Sequence, residues 1–274
     1  MSLGQAIVLG IVQGLTEFLP ISSSGHLRIV PAFAGWEDPG AAFTAVIQLG
    51  TMAAVLLYFR QDLVRIAAAW LGSLRDPRHR GTLDARLGWY LIFGTVPIVI
   101  FGVAFTDEIE NGARDLYSIG TMLVVFGLVL LAAEALSRRD RDISSLQRRD
   151  AIVIGFAQAL ALVPGVSRSG ATISAGLLLG FDRVSAARFS FLLSVPAVVL
   201  SGLFELRGVV DGSAEGSVGL GPTAVATVLA FVTGYASIAF LLRFLTTHST
   251  AVFVGYRVVL GAAVLALVAT GAIA

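Results

Sequence analysis

The sequence has 274 residues, of which 56% are hydrophobic and 14% are charged, and its formal net charge is +1. Soluble domains carry about a quarter charged residues, so this composition indicates an integral membrane protein. The small net charge provides no basic field to attract nucleic acid. The absence of cysteine from the sequence excludes disulfides, thiolate metal sites and a cysteine nucleophile.

The first predicted element, at about residues 4–35, is an apolar segment that is broken in its middle by Pro20 and a run of serines. Each half is too short to cross a hydrocarbon layer of roughly 30 Å. Broken backbone at membrane depth is tolerated only where protein or a water-filled cavity surrounds it. We therefore predict a re-entrant helix–loop–helix, here called the first head, which enters and leaves the membrane on one face.

A spanning helix needs about 20 mostly apolar residues. Six segments meet this requirement, at about 41–59, 87–105, 116–136, 187–206, 223–243 and 251–273. A second broken apolar segment, at about 151–180, lies between the third and fourth of them and is here called the second head. Each half of the chain is thus predicted to contain one re-entrant pair and three spans.

The two heads are copies of one unit. A shift of 145 residues, which places Ala6 on Ala151, pairs Gly10 with Gly155, Gln13 with Gln158, Ser22 with Ser167 and Ser24 with Ser169. Because three spans per copy is an odd number, the second copy is predicted to be inverted relative to the first. The predicted fold is an all-α integral membrane protein, a single domain of two inverted-topology repeats (about 1–136 and 151–274) joined by an arginine-rich linker, 137–150.

Arginine placement predicts the orientation. Loop 60–86 and linker 137–150 are rich in arginine, whereas loop 106–115 is mostly acidic and loop 207–221 is rich in glycine. The positive-inside rule places the first two in the cytoplasm and the other two outside. The first head is then expected to open from the outer face and the second head from the cytoplasmic face.

The first head carries acidic, hydroxyl and imidazole side chains. Gln13 and Glu17 are four residues apart and share a helix face. A lone charge at the bilayer centre costs about 2.5–3.5 kcal/mol or more, so Glu17 needs a compensating partner. Carboxylate and amide oxygens suit a hard divalent cation such as Mg²⁺ or Ca²⁺. A passive, hydrated carboxylate near the interface explains Glu17 taken alone equally well.

Ser22, Ser23, Ser24 and His26 follow in the same head. Taken alone, such serines more often cap the next helix or pack helices together, and a lone histidine is more often structural than catalytic. A serine hydroxyl near an imidazole and a carboxylate nevertheless has the layout of an activated nucleophile. The presence of Glu17 within ten residues of His26 favours this second interpretation.

The second head contains Pro164-Gly-Val-Ser-Arg-Ser-Gly-Ala-Thr172, which ends one short helix and starts another. The free N–H groups and the dipole at a helix start bind anions, and the planar fork of Arg168 suits phosphate oxygens. The alternative for Arg168 is a structural ion pair, with Glu17 as one partner. We expect the two heads to converge on a pocket suited to hydrolysis of a phosphoanhydride on a lipid.

These residues resemble the undecaprenyl-diphosphatase family, the bacitracin-resistance proteins. Residues 13–17 match a Glu/Gln-x-x-x-Glu signature, residues 164–172 match Pro-Gly-x-Ser-Arg-Ser-x-x-Thr, and residues 22–26 carry the Ser-Ser-x-Gly-His run. The resemblance covers essentially the whole chain. It implies hydrolysis of undecaprenyl pyrophosphate to undecaprenyl phosphate and inorganic phosphate, which recycles the lipid carrier of peptidoglycan synthesis at the outer face of the bacterial plasma (inner) membrane.

The resemblance also implies roles for individual residues. Glu17, Ser23, His26 and Arg168 would be catalytic, with Ser23 as nucleophile or water-orienting hydroxyl and with His26 and Glu17 as its activating or metal-linked partners. A divalent cation would lie at Gln13 and Glu17, although many relatives carry Glu at the position of Gln13. The hydroxyls expected to bind substrate are those of Ser22, Ser24, Ser167, Ser169 and Thr172.

Three other functions fit the sequence less well. The acid-phosphatase-like lipid phosphatases need a lysine and a second catalytic histidine, which this sequence does not offer at membrane level. A polyprenyl-phosphate flippase or secondary transporter shares the inverted-repeat architecture, but transport has no need of the Ser/His/Glu cluster. A passive membrane protein leaves Glu17, His26 and Arg168 unexplained. The expected partners are a polyprenyl diphosphate and membrane lipid, with no nucleic acid, and a homodimer is compatible with the sequence.

Overall fold

The computed structural model describes residues 1–105, 115–210 and 219–273, with side chains described except at 41–42 and 201–210. The predicted outer loops, 106–115 and 207–221, therefore lie mostly outside the described residues. The described part of the chain forms the following α-helices: α1 Leu3–Phe18, α2 Ser23–Ala34, α3 Gly40–Tyr58, α4 Arg60–Arg75, α5 Leu83–Ala104, α6 Leu116–Leu136, α7 Arg148–Ala159, α8 Arg168–Leu178, α9 Arg183–Val210, α10 Leu220–Phe244 and α11 Ala251–Ala269.

Both heads have the predicted helix–break–helix form. In the first head α1 and α2 are separated by residues 19–22, and in the second head α7 and α8 are separated by residues 160–167. Each second helix is capped by a serine: Ser22 accepts a hydrogen bond from the N–H of Gly25, and Ser167 accepts one from the N–H of Gly170.

The two capping serines share a rare backbone conformation. Ser22 and Ser167 both have φ of 74°, in the left-handed region that residues other than glycine seldom adopt. Such a residue costs on the order of 1–3 kcal/mol and persists only where the surroundings hold it, often at a functional site. The alignment of Ser22 with Ser167 is thus matched by the backbone geometry, while the inverted orientation of the two copies stays a prediction.

The second head enters and leaves at one end of the bundle. Nη1 of Arg141, in the linker, lies 3.3 Å from Oδ1 of Asp150 at the start of α7 and 2.9 Å from the carbonyl oxygen of Leu179 just after α8. One guanidinium therefore contacts both ends of this head, as a re-entrant pair requires. In the first head, α1 and α2 likewise pack against each other.

Five of the described helices are long and apolar enough to cross a membrane: α5, α6, α9, α10 and α11. The predicted span at 41–59 is present as α3, which meets the same criterion only together with α4, and the two helices meet at a bend of 73°. The described helices thus agree with a multi-pass membrane protein.

Residues 60–75 differ from the sequence prediction, which treated them as part of a loop. They form α4, an amphipathic helix that buries Ile66 and exposes Arg65. A search for long apolar runs does not detect such a helix, because its apolar residues recur with the period of one helix face.

One end of the bundle gathers the segments predicted to be cytoplasmic. Nη2 of Arg86, in loop 60–86, donates to the carbonyl oxygen of Ser144 in the linker at 3.4 Å. At the same end, Glu134 near the end of α6 pairs with Arg183 at the start of α9 and accepts a hydrogen bond from the hydroxyl of Thr250 just before α11. The arginine-rich segments therefore share a face, and the side of the membrane that this face occupies stays a prediction.

Each head packs against a helix from the other half of the chain. α1 contacts α10, and α7 contacts α5. Both contacts are built on glycine: a Cβ at Gly10 would fall on the carbonyl oxygen of Ala226, and a Cβ at Gly155 would fall on the carbonyl oxygen of Gly94. Small residues let helices approach closely in membranes. Because each head packs against a helix of the other half, the two breaks come close together.

We expect Gly155→Ala to destabilise the protein by about 1–3 kcal/mol, because the added methyl overpacks the contact between α7 and α5. Thermal unfolding of the purified protein in detergent measures this effect. Gly72→Ala on α4 is the control, since a Cβ there meets nothing within 4 Å and alanine is the better helix former. A melting temperature for Gly155→Ala equal to that of wild type would contradict the close approach.

Candidate functional site

The two breaks meet through Glu17 and Arg168, which are 151 residues apart in sequence. Nη2 of Arg168 donates to Oε1 of Glu17, and the two side chains are 16% and 7% exposed. The hydroxyl of Ser169 also crosses between the heads and donates to the carbonyl oxygen of Leu19 at 2.9 Å. The predicted convergence of the two heads is therefore confirmed, and the ion pair anticipated for Arg168 is formed.

Glu17 is the hub of the first head. Its second oxygen, Oε2, accepts a hydrogen bond from the hydroxyl of Ser23 at 2.6 Å and another from Nε2 of Gln13 at 3.1 Å. Glu17 occupies the last turn of α1 and Ser23 the first position of α2, so the sharp break places the hydroxyl back on the carboxylate. A carboxylate at this distance is within reach of the proton on the Ser23 hydroxyl.

His26 is turned away from Ser23. Its Nδ1 lies 2.7 Å from the carbonyl oxygen of Ser22, and its Nε2 lies 2.7 Å from the hydroxyl of Tyr256 on α11. Both ring nitrogens are thus engaged, and the structure places a carboxylate rather than the imidazole on the Ser23 hydroxyl. Sequence spacing brought His26 near Ser23 but could not show which way the ring points.

The hydroxyls expected to bind substrate differ in exposure. Ser22, Ser167, Ser169 and Thr172 are all buried, whereas Ser24 is exposed and Ser23 is partly exposed. The buried hydroxyls mostly contact one another and the backbone, as in the contact of 3.2 Å between Ser167 and Ser169. Ser24 is therefore the most accessible hydroxyl of this set, and the catalytic candidate Ser23 beside it is partly accessible.

Two helix N-termini point into the site. α2 begins at Ser23 and α8 begins at Arg168. The serine caps satisfy the N–H groups of Gly25 and Gly170, which leaves the first N–H groups of each helix for a ligand. Aligned peptide dipoles add partial positive charge at both starts. Together with Arg168 they form a site suited to an anion with several oxygens, such as a diphosphate.

Arg257 on α11 is the residue that sequence reasoning missed. Its side chain is fully buried (0% exposed) and joins both heads to α6. The guanidinium donates to five backbone carbonyl oxygens, those of Pro20, Met122, Leu123, Gly165 and Val166. A single cation in an apolar span is the signal that could have found it, but an arginine near a span end also fits snorkelling to the interface.

The residues at positions 13 and 17 fit a divalent cation only in part. Oε1 of Gln13 is buried and has no hydrogen-bond partner among the described residues, so it is an oxygen left open to a cation or to water. Glu17 supplies one carboxylate, and the described residues hold no cluster of three or more His, Cys, Asp or Glu that would cage a metal. This set suits Mg²⁺, which commonly takes one or two carboxylates and completes its shell with phosphate oxygens and water.

Comparison with known proteins gives consistent matches along the chain. Residues 6–263 match the family described as bacitracin resistance protein BacA. An undecaprenyl-diphosphatase of a Nocardioides species is 60% identical over 270 residues, covering 98% of this chain and 98% of that protein. An undecaprenyl-diphosphatase of Mycolicibacterium smegmatis is 56% identical over 275 residues, covering 100% of this chain and 99% of that protein. The undecaprenyl-diphosphatase 2 of Streptomyces avermitilis is 53% identical over 285 residues, covering 100% and 97%.

Proposed function

The chain belongs to the bacitracin resistance protein family, and we propose that it is a membrane hydrolase that converts undecaprenyl diphosphate to undecaprenyl phosphate and inorganic phosphate. The substrate is the one that the names of its relatives print. The observation that carries the proposal is a single carboxylate, Glu17, in contact with both the hydroxyl of Ser23 and the guanidinium of Arg168. Hydrolysis needs a base beside an attacking oxygen and a cation beside the phosphate, and these contacts supply both.

Glu17 acts as the base in this proposal. It takes the proton from the attacking oxygen, which belongs either to Ser23 or to a water that Ser23 orients. That oxygen forms a bond to the terminal phosphorus, the bond from this phosphorus to the bridging oxygen breaks, and the electron pair leaves with undecaprenyl phosphate. Where Ser23 attacks, water then cleaves the phosphoserine. Both routes give the same products and use the contact of 2.6 Å between Ser23 and Glu17.

Arg168 binds the diphosphate. Its ion pair with Glu17 uses Nη2, and its other side-chain nitrogens have no protein partner among the described residues. These nitrogens can therefore donate hydrogen bonds to phosphate oxygens. Shifting Arg168 toward the phosphates would weaken its contact with Glu17. The N-termini of α2 and α8 stabilise the charge that develops on the phosphate oxygens.

A divalent cation, Mg²⁺ or Ca²⁺, would be held by Oε1 of Gln13 and the carboxylate of Glu17 together with substrate oxygens. When bound, it would neutralise part of the diphosphate charge. The orphaned oxygen of Gln13 supports this assignment.

The site is proposed to open to the outer face of the bacterial plasma membrane, where hydrolysis returns the lipid carrier of cell-wall synthesis. The arginine-rich segments gathered at one end of the bundle support this orientation, since positive loops stay in the cytoplasm and the first head is predicted to enter from the other side. Treating intact cells that carry the Ser24→Cys variant with a membrane-impermeant thiol reagent tests this orientation. Labelling of the introduced cysteine is expected if the site opens to the outer face.

Phosphate release from undecaprenyl diphosphate by purified protein tests the function. Arg168→Lys is expected to cut turnover tenfold or more, because lysine loses the bidentate fork and hydrogen bonds to charged groups are worth about 1.5–3 kcal/mol. Arg188→Lys, at an ion pair with Asp62 outside the site, is the control and is expected to keep wild-type activity. The same assay in the presence of a chelator measures whether turnover depends on a divalent cation.

Three results would count against these proposals. Wild-type turnover in Arg168→Lys contradicts its role in holding phosphate. Full activity after exhaustive chelation contradicts the proposal that a divalent cation takes part in the reaction. Folded wild-type protein that releases no phosphate, with or without added Mg²⁺ or Ca²⁺, contradicts the function itself.

A further inference from the structure

Tyr256 lies at the site but belongs to neither head. It is on α11, 230 residues from His26, and its hydroxyl is 2.7 Å from Nε2 of the imidazole. The two rings are nearly parallel, at an angle of 6°. Tyr256 is 46% exposed whereas His26 is only 5% exposed. The tyrosine hydroxyl is thus the partner of Nε2 in an otherwise buried imidazole.

The hydrogen bonds fix which ring nitrogen carries the proton. A carbonyl oxygen can only accept, so Nδ1 of His26, at 2.7 Å from the carbonyl oxygen of Ser22, must be the donor. In the neutral ring, Nε2 is then an acceptor, and the Tyr256 hydroxyl donates a hydrogen bond to it. The second partner of an imidazole sets its tautomer and orientation in this way.

This chain of contacts ends on the strained peptide before Ser23. Ser22 has φ of 74°, a conformation that only its surroundings can hold. Its carbonyl oxygen accepts from both the backbone N–H and Nδ1 of His26. The next residue is Ser23, whose hydroxyl contacts Glu17. An imidazole locked by Tyr256 thus holds the peptide that aims Ser23 at its base.

We propose that Tyr256 is a positioning residue for the hydrolysis: through the Nδ1–H tautomer of His26 it holds the Ser22–Ser23 peptide in the strained conformation that keeps the Ser23 hydroxyl on Glu17. The inference rests on the proposed function. In it, His26 acts on the backbone of the first head and not as the base for Ser23.

Kinetics give the first test. Tyr256→Phe removes one hydroxyl and is expected to lower kcat roughly two- to tenfold, the worth of one neutral hydrogen bond, with KM for undecaprenyl diphosphate unchanged. Tyr235→Phe, on the preceding helix α10 and with similar exposure (37%), is the control and should leave both constants at wild-type values. Combined with His26→Asn, Tyr256→Phe should cause no further loss, because both changes break one chain of contacts.

NMR of the histidine ring gives a second test, because a general loss of protein stability would not by itself change the tautomer of His26. The chain has three histidines, and His79 and His248 are both exposed, so replacing those two with glutamine leaves His26 as the only labelled ring. Its ¹⁵N shifts are expected to report the Nδ1–H tautomer, and Tyr256→Phe should convert this signal to a mixture of ring states. The melting temperature should stay within a few degrees of wild type.

The outcomes separate the inference from the function on which it rests. Active wild type with unchanged kcat in Tyr256→Phe, or an Nε2–H tautomer in the wild-type spectrum, overturns the role of Tyr256 and leaves the hydrolysis standing. Additive losses in the double variant also overturn it, because they place Tyr256 and His26 in separate roles. Wild type without phosphate release removes the proposed function, and the NMR result then still decides the tautomer.

Discussion

Glu17→Gln is expected to lower turnover about 100-fold or more without unfolding the protein. The change is nearly isosteric, but an amide cannot take the proton that the carboxylate receives from Ser23 at 2.6 Å, and general base catalysis typically contributes 10²–10⁴-fold. It also removes the partner of Arg168. Phosphate release under saturating undecaprenyl diphosphate measures the loss, and Glu37→Gln, an exposed carboxylate between α2 and α3, is the control.

A double-variant cycle shows whether Glu17 works through Ser23. If the two act as one unit, Glu17→Gln combined with Ser23→Ala should be little slower than the slower single variant, because residues that act together are non-additive. Losses that multiply would place the base and the hydroxyl in separate steps. Turnover near wild type in Glu17→Gln would rule out the carboxylate as the base.

Arg257→Lys is expected to lower the free energy of unfolding by about 3 kcal/mol or more. The guanidinium donates hydrogen bonds to carbonyl groups of both heads and of α6. The three donors of a lysine ammonium are on a single atom and cannot reach all of these carbonyl groups. Each charged hydrogen bond that is lost is worth about 1.5–3 kcal/mol. Arg243→Lys, exposed in the last turn of α10, is expected to melt like wild type.

The same variant should also lose activity beyond its loss of stability. Well below the melting temperature, a protein whose heads are no longer joined at Pro20 and Gly165 should release phosphate more slowly. Crosslinking between the heads would then restore turnover. Wild-type stability in Arg257→Lys would mean that the contacts to the two breaks contribute little.

Local patterns predicted much of this fold. The two broken heads, the apolar spans and the meeting of Glu17 with Arg168 all follow from residue spacing and from the cost of a lone charge in lipid. The signals for the heads and the spans are local, since each lies within about 20 consecutive residues, whereas the meeting of Glu17 with Arg168 follows from the cost of a lone charge in lipid.

The contacts that α11 makes with the two heads could not be predicted from the sequence. Neither the bond from Tyr256 to His26 nor the bonds from Arg257 to both breaks leave a periodic trace in the sequence. α4 was missed for another reason, since its apolar residues occupy one face and never form a long run. The roles of the site residues and the inverted orientation of the repeats stay predictions.

The packing of each head on the opposite half has a consequence for biogenesis. α1 leaves the ribosome early, yet its partner α10 is among the last helices to be made. Until α10 has been inserted, the glycine face of α1, including Gly10, lacks the helix against which it packs in the folded protein. A nascent chain stopped at the linker is therefore an unfinished insertion intermediate, and we expect quality-control proteases to clear it unless the missing half is supplied as a separate polypeptide.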